Sequence, residues 1–81
     1  MARMVDFDND GVDFDDGLRL TTEGEFRFDG NWIVRVGVYR RYEGERDFER
    51  EATVHVRTGP TARTIEASVL RKRAERRLSG D

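Results

Sequence analysis

The chain has 81 residues, of which 40% are charged and 36% hydrophobic, and its formal net charge is −2 at pH 7. A chain of this length forms one domain with a thin core, and the lack of cysteine excludes disulfides and thiolate zinc sites. The longest apolar run, Trp32-Ile33-Val34, is too short to span a membrane, and no apolar secretion signal follows Met1. We therefore expect a cytoplasmic protein with no membrane partner.

The charge is unevenly distributed along the chain. Residues 1–24 carry seven acids against Arg3 and Arg19, a balance of −5, whereas residues 25–81 carry thirteen bases against ten acids, a balance of +3. Segregation of this kind bears on partners and electrostatic steering rather than on the fold.

The acidic N-terminal segment has the period of a strand. Its aspartates alternate with Val5, Phe7, Val12 and Phe14, which is typical of a strand with one buried and one solvated face. Asn9-Asp10-Gly11 is a tight-turn signal. We therefore predict an acidic hairpin region over residues 1–24, in which residues 5–8 pair with residues 12–15 and a second turn at Asp16-Gly17 leads into residues 18–20. Its core face would carry Val5, Phe7, Val12, Phe14, Leu18 and Leu20.

The remaining elements are predicted in chain order. Residues 21–24 read as a loop, residues 25–28 as a strand, and Asp29-Gly30-Asn31 as a turn. Residues 32–42 give the strongest strand pattern, and a polar turn separates them from a strand over residues 48–57. Pro60 suits a helix start and Gly80 a C-cap, so we predict a helix over residues 60–79. That helix has two apolar patches, one formed by Ala62, Ile65 and Val69 and the other by Ala67, Leu70, Ala74 and Leu78.

These elements predict an α+β fold. We expect an antiparallel β-sheet of four to six short strands, a β-meander, packed on one C-terminal α-helix, with a single domain over residues 1–81 and the central sheet over residues 25–58. The expected centre of the core consists of Phe26, Phe28, Trp32, Val34, Val36, Val38, Val54, Val56, Ile65, Val69 and Leu70. Open strand edges in such a sheet make pairing with a partner plausible.

The ordered aspartates point first to a protein-binding function. Like charges opposite each other in a sheet cost stability, and threonine or serine would solvate the face without that cost. We therefore expect a non-enzymatic module, of the type of a phage inhibitor, whose acidic hairpin engages a basic surface of a partner protein, such as a nucleic-acid site. A solvated acidic face with no partner is the alternative. The partner-binding residues would be Asp6, Asp8, Asp10, Asp13, Asp15 and Asp16.

A second hypothesis is direct nucleic-acid binding. Basic residues cluster in the last helix, and others interleave with aromatic residues on the strands; the candidate contacts are Arg35, Tyr39, Arg41, Arg73, Arg76 and Arg77. By element order over residues 25–79, three strands and then a helix, the chain is similar to small DNA-binding modules that lay a sheet in the major groove, such as plant AP2-type and integrase arm-binding domains. That resemblance implies DNA binding. A homodimer formed through a sheet edge or the helix is a further expectation.

Calcium binding is a third hypothesis. Residues 6–11 match the first six positions of a calcium-loop pattern, but Gly17 stands where the bidentate glutamate belongs, so any site would be weak. We predict neither a structural metal site nor a cofactor. The chain has one histidine, His55, and no catalytic or phosphate-loop motif, so we expect no enzyme activity and no catalytic residues.

Overall fold

A computed structural model of the protein describes residues 2–80, which form six strands and one helix. The fold is α+β, as predicted, with antiparallel sheets and a C-terminal helix. Among the described residues the helix is neither long nor apolar enough to cross a membrane. The elements are β1 (Met4–Asp6), β2 (Gly11–Asp13), β3 (Leu18–Phe28), β4 (Asn31–Arg40), β5 (Glu49–Gly59), β6 (Thr64–Glu66) and α1 (Ala67–Leu78).

A four-stranded sheet in the order β2-β3-β4-β5 forms the centre of the molecule. The predicted turn joins β3 to β4: Asp29 and Gly30 have φ values of 53° and 78°, the left-handed pair that a two-residue hairpin requires. The predicted loop at residues 21–24 is wrong, because β3 runs through it with a register shift between Thr22 and Glu25. Such a shift bends the strand without ending it.

The predicted acidic hairpin does not form. β1 pairs with β6, with Val5 opposite Ile65, and β2 pairs with β3, with Val12 opposite Leu20. The two acidic strands therefore belong to different sheets. The reason is burial: pairing with β6 places Val5 and Phe7 in the core beneath the helix, both at most 1% exposed, which an isolated hairpin cannot achieve.

The helix is shorter than predicted. It begins at Ala67 rather than near Pro60, because Thr64–Glu66 form β6 against β1. β-branched Thr64 and Ile65 suit a strand, and a pairing partner distant in sequence decides the outcome. The second predicted apolar patch faces the core, with Ala67, Leu70 and Ala74 buried and Leu78 packed against it.

One face of the central sheet packs against α1 and the β1-β6 ribbon, and the other face is open. Of the predicted core residues on β4 and β5, the five valines are buried and Trp32 is partly buried, packed against the core. Phe26, Phe28 and Val69 are exposed. Phe26 and Phe28 follow the bend in β3, and there their side chains project from the open face. Burial of Val5, Phe7, Leu18 and Leu20 is confirmed; the full core is Val5, Phe7, Leu18, Leu20, Val34, Val36, Val38, Val54, Val56, Ile65, Ala67, Leu70 and Ala74.

Candidate nucleic-acid interface

Asp10 organises the backbone of the acidic segment. Its carboxylate accepts hydrogen bonds from the backbone N–H groups of Asp6 (3.1 Å) and Gly11 (2.8 Å) and from Arg3 Nη2 (3.1 Å). The two backbone bonds hold the pKa of Asp10 below its ordinary value. Its own N–H donates to Thr22 Oγ1 at 2.7 Å, and the Thr22 hydroxyl returns a bond to the Asp10 carbonyl at 2.9 Å. Asp10 therefore ties the turn after β1 to β3.

Two further aspartates pair with arginine. Arg19 donates two bonds to Asp13, Nε to Oδ1 at 2.6 Å and Nη2 to Oδ2 at 2.9 Å. Arg71 of α1 pairs with Asp16, 55 residues away in sequence. In each case the hydrogen bond from the arginine is the main cause of a lowered carboxyl pKa. These carboxylates serve the fold as well as the surface charge.

The remaining predicted contacts, Asp6, Asp8 and Asp15, do not form the expected row. Asp6 Oδ1 accepts the Asp8 N–H at 2.9 Å, and Asp15 forms no hydrogen bond or ion pair with any residue of the described chain. Within residues 2–80 no group of three or more potential ligands is placed to hold a metal ion. At the opposite end of the segment, an acidic groove of about 540 Å³ contains Asp13, Asp15, Asp16, Glu43 and Glu45 among its lining residues.

An ion pair and its hydrogen-bond partner cover the part of the open face around Gly37. Glu23 accepts a hydrogen bond from Tyr39 (2.6 Å) and one from Arg50 (2.5 Å), and Arg50 also donates to the Tyr39 hydroxyl. The Arg50 bond is the main cause of a lowered Glu23 pKa, and Glu23 in turn raises the pKa of Tyr39. The carboxylate lies over Gly37, which has no side chain to displace it. Nearby, Arg41 stacks on Phe48 with Cζ 4.8 Å from the ring centroid.

Some arginines of the protein are paired with carboxylates and others are not. Arg3, Arg19, Arg40, Arg50, Arg63 and Arg71 have carboxylate partners. Among residues 2–80, no carboxylate lies within 4.0 Å of any of five arginines on neighbouring elements: Arg35 of β4, Arg57 of β5, and three on α1. With His55 they form what we term the basic surface, consisting of Arg35, His55, Arg57, Arg73, Arg76 and Arg77.

A groove between β5 and α1 gives the basic surface its shape. Its volume is about 420 Å³, and its lining is Thr53, Val54, His55, Arg73, Arg76 and Arg77, with no carboxylate among them. His55 alternates with Val54 and Val56, which are buried, so its ring lies on the open face. Arg35 is its register partner on β4. The groove is therefore continuous with the unpaired part of the open face.

Four of the six predicted nucleic-acid contacts, Arg35, Arg73, Arg76 and Arg77, belong to this surface. Tyr39 does not belong to it, because its hydroxyl donates to Glu23. Arg41 does not belong to it either, because its guanidinium stacks on Phe48. His55 and Arg57 were not among the six candidate contacts, although their alternation on β5 with buried valines indicates that they lie on the open face. No protein-family model, curated protein or solved structure matches the chain.

Proposed function

We propose that the protein binds nucleic acid through its basic surface. One observation carries the proposal: three arginines of α1 share a groove with His55 of β5, Arg35 is the register partner of His55 on β4, and Arg57 is two residues from His55 on β5. None of these five arginines has a carboxylate partner in the described part of the chain. Unpaired guanidinium groups, such as those of Arg73, Arg76 and Arg77 in this groove, attract a polyanion, since their planar fork matches phosphate oxygens.

The net charge of −2 does not oppose this function. Seven carboxylates are paired with arginine, as the Asp13–Arg19 and Asp16–Arg71 pairs illustrate. Local charge rather than the total governs attraction within a Debye length, about 10 Å at 0.1 M salt. The basic surface therefore acts as a local cationic site on a mildly acidic protein.

The test is a fluorescence-anisotropy titration of labelled 12-nucleotide single strands and a 12-base-pair duplex over 50–300 mM salt. The variant R73A/R76A removes two of the groove arginines. Its control, R41A/R46A, removes two arginines in the loop between β4 and β5 and changes the charge equally. Melting temperatures of both variants verify that they fold.

Each phosphate contact on a single strand contributes about 0.7 to the slope of log K against log salt. Loss of two contacts therefore lowers the slope by about 1.4. If the parent and the variant bind equally at 1 M salt, where these contacts are screened, the variant should bind roughly 60-fold more weakly than the parent at 50 mM salt. The control pair should bind like the parent. Equal weakening by both variants, or no binding by the parent at 50 mM salt, refutes the proposal.

A second candidate function keeps the protein-binding hypothesis in altered form. Asp13, Asp15 and Asp16 line one groove together with Glu43 and Glu45, although they do not form a hairpin row. Asp15 and Glu43 have no ion-pair partner among the described residues. We propose this acidic groove, rather than the predicted hairpin, as the region that would engage a basic partner.

A labelled heptaarginine peptide is the probe for the acidic groove. The variant D15N/E43Q should weaken peptide binding severalfold at 50 mM salt, because it removes two groove carboxylates that no arginine of the described residues neutralises. The variant D29N/E49Q changes the net charge equally at sites outside the groove and should leave binding near that of the parent. Equal effects of the two variants would show that binding follows net charge alone and would exclude the acidic groove.

A further inference from the structure

The aromatic rings of the protein fall into three groups. Five of the eight have an arginine guanidinium within 6.0 Å of the ring centroid: Phe14, Trp32, Tyr39, Tyr42 and Phe48. Phe7 is buried in the core. The two that remain, Phe26 and Phe28, are 41% and 63% exposed, and no arginine stacks on either among the described residues. Arginine side chains therefore cover five of the rings, whereas Phe26 and Phe28 stay exposed without one.

Both uncovered rings lie on the open face. Phe26 is the register partner of Ile33, and Ile33 is the register partner of Arg57. Phe26 also contacts His55 edge to face, with ring centroids 6.3 Å apart. Phe28 is two residues further along β3 and therefore projects from the same face. We term Phe26, Phe28 and Ile33 the aromatic patch.

The surroundings of the aromatic patch are cationic. Arg57 and His55 border it on β5, and Arg35 borders it on β4. On the same face of the sheet, the Glu23 carboxylate is hydrogen-bonded to Arg50 and Tyr39. An occupant must therefore combine flat apolar groups with negative charge. Exposed aromatic rings beside unpaired arginines on an open sheet face are the arrangement that binds unstacked bases and their phosphates.

From this geometry, and resting on the nucleic-acid function proposed above, we infer that the ligand is a single strand whose bases stack on Phe26 and Phe28. Alternate residues of a strand are about 6.6 Å apart, whereas stacked bases are about 3.4 Å apart. Two neighbouring bases cannot stack on both rings while they stay stacked on each other. A single strand tolerates that separation, but a duplex holds its bases in the stack. The arginines of the groove then hold the phosphates that continue the strand.

The test compares four labelled 12-mers by fluorescence anisotropy at 50 mM salt. They are oligodeoxythymidine, oligouridine, an abasic deoxyribose-phosphate strand of the same charge, and a duplex. The parent should bind both pyrimidine strands at least tenfold more tightly than the abasic strand and the duplex. The ratio between the DNA and RNA strands assigns the sugar that the surface prefers.

Paired variants attribute the preference to the patch. Phe28→Ala should weaken binding to oligodeoxythymidine about fivefold, and the double variant F26A/F28A about 30-fold, with the abasic strand unaffected. Tyr42→Ala is the matched control, because Tyr42 is similarly exposed, at 56%, but lies outside the patch. Melting temperatures within a few degrees of the parent verify the fold of each variant.

The outcomes separate this inference from the proposed function. If the parent binds the abasic strand or the duplex as tightly as the single strands, or if Phe28→Ala has no greater effect than Tyr42→Ala, base stacking is refuted while backbone binding stands. If the parent binds none of the four, both proposals fail. Sedimentation of the free protein adds a last criterion: a dimer that Phe28→Ala dissociates means that a second copy occupies the patch, which also overturns the inference.

Discussion

Replacement of Asp10 by asparagine tests whether the acidic segment stabilises the fold. Asp10 is the carboxylate with the most internal partners in that segment, since it accepts bonds from Asp6, Gly11 and Arg3. We expect Asp10→Asn to destabilise the protein by about 2 kcal/mol. Asp15→Asn is the matched control: it makes the same chemical change five residues away, where the carboxylate has no described partner.

The magnitude follows from the three bonds. The asparagine oxygen can replace the Oδ1 that accepts from Gly11 and Arg3, but its NH2 group replaces the Oδ2 that accepts from Asp6. The Asp6 N–H then faces another donor, which costs about 1 kcal/mol at a site that water reaches. The two bonds that remain lose their charge assistance, at about 0.5 kcal/mol each.

Thermal unfolding followed by circular dichroism at pH 7 measures the effect. For a domain of this size each kcal/mol shifts the melting temperature by about 4–8 °C, so Asp10→Asn should melt roughly 8–16 °C below the parent. Asp15→Asn should melt within about 2 °C of the parent, since exposed substitutions have small effects. Equal melting temperatures for the two variants would refute the role assigned to Asp10.

Three further predictions concern stability. Thr22→Val removes the hydroxyl that accepts from and donates to Asp10 at a position only 1% exposed, so urea unfolding should show a loss of about 2 kcal/mol, whereas Thr22→Ser should lose less. Gly17→Ala should lower the melting temperature more than Gly44→Ala, although both glycines have φ near 90° (87° and 89°). A Cβ at Gly17 would clash with the backbone carbonyl of Arg41, whereas a Cβ at Gly44 meets no atom within 4 Å. Equal melting temperatures for the two variants would contradict the clash. The lowered carboxyl pKa values of Asp10, Asp13, Asp16 and Glu23 predict how stability depends on pH. Their contribution should be fully present above about pH 4.5 and should decline as the pH falls through the lowered pKa values, because a carboxyl with a pKa below its unfolded value favours the folded state only while it is ionised. Urea midpoints that stay constant from pH 7 to pH 2 would contradict this prediction.

Local patterns predicted the central sheet well. Val34, Val36 and Val38 alternate with polar or small residues, and all three are fully buried on β4. The left-handed turn at Asp29 and Gly30 follows from residue types that tolerate a positive φ. Both features depend on neighbours within a few residues, so the sequence displays them directly.

The same local patterns failed to predict which distant segments pair with each other. The Asn9-Asp10-Gly11 signal does mark a reversal, with Asn9 at φ 57°, but the strands on either side join different partners. The helix begins later than predicted because Ile65 pairs with Val5, 60 residues away in sequence. A turn motif specifies that the chain reverses, and it does not specify which strand lies beside it.

The candidate sites show the same division. The sequence by itself determined the residue types: six aspartates near the N-terminus, an arginine-rich last helix, and aromatic residues on the strands. Only the tertiary structure decided which charges remain unpaired, as when Arg71 pairs with Asp16 across 55 residues while Arg73 keeps no partner among the described residues. The physical reason is range, because strand period and turn chemistry act between neighbours, whereas the neutralisation of a charge or the covering of a ring depends on groups that only folding brings within a few ångströms.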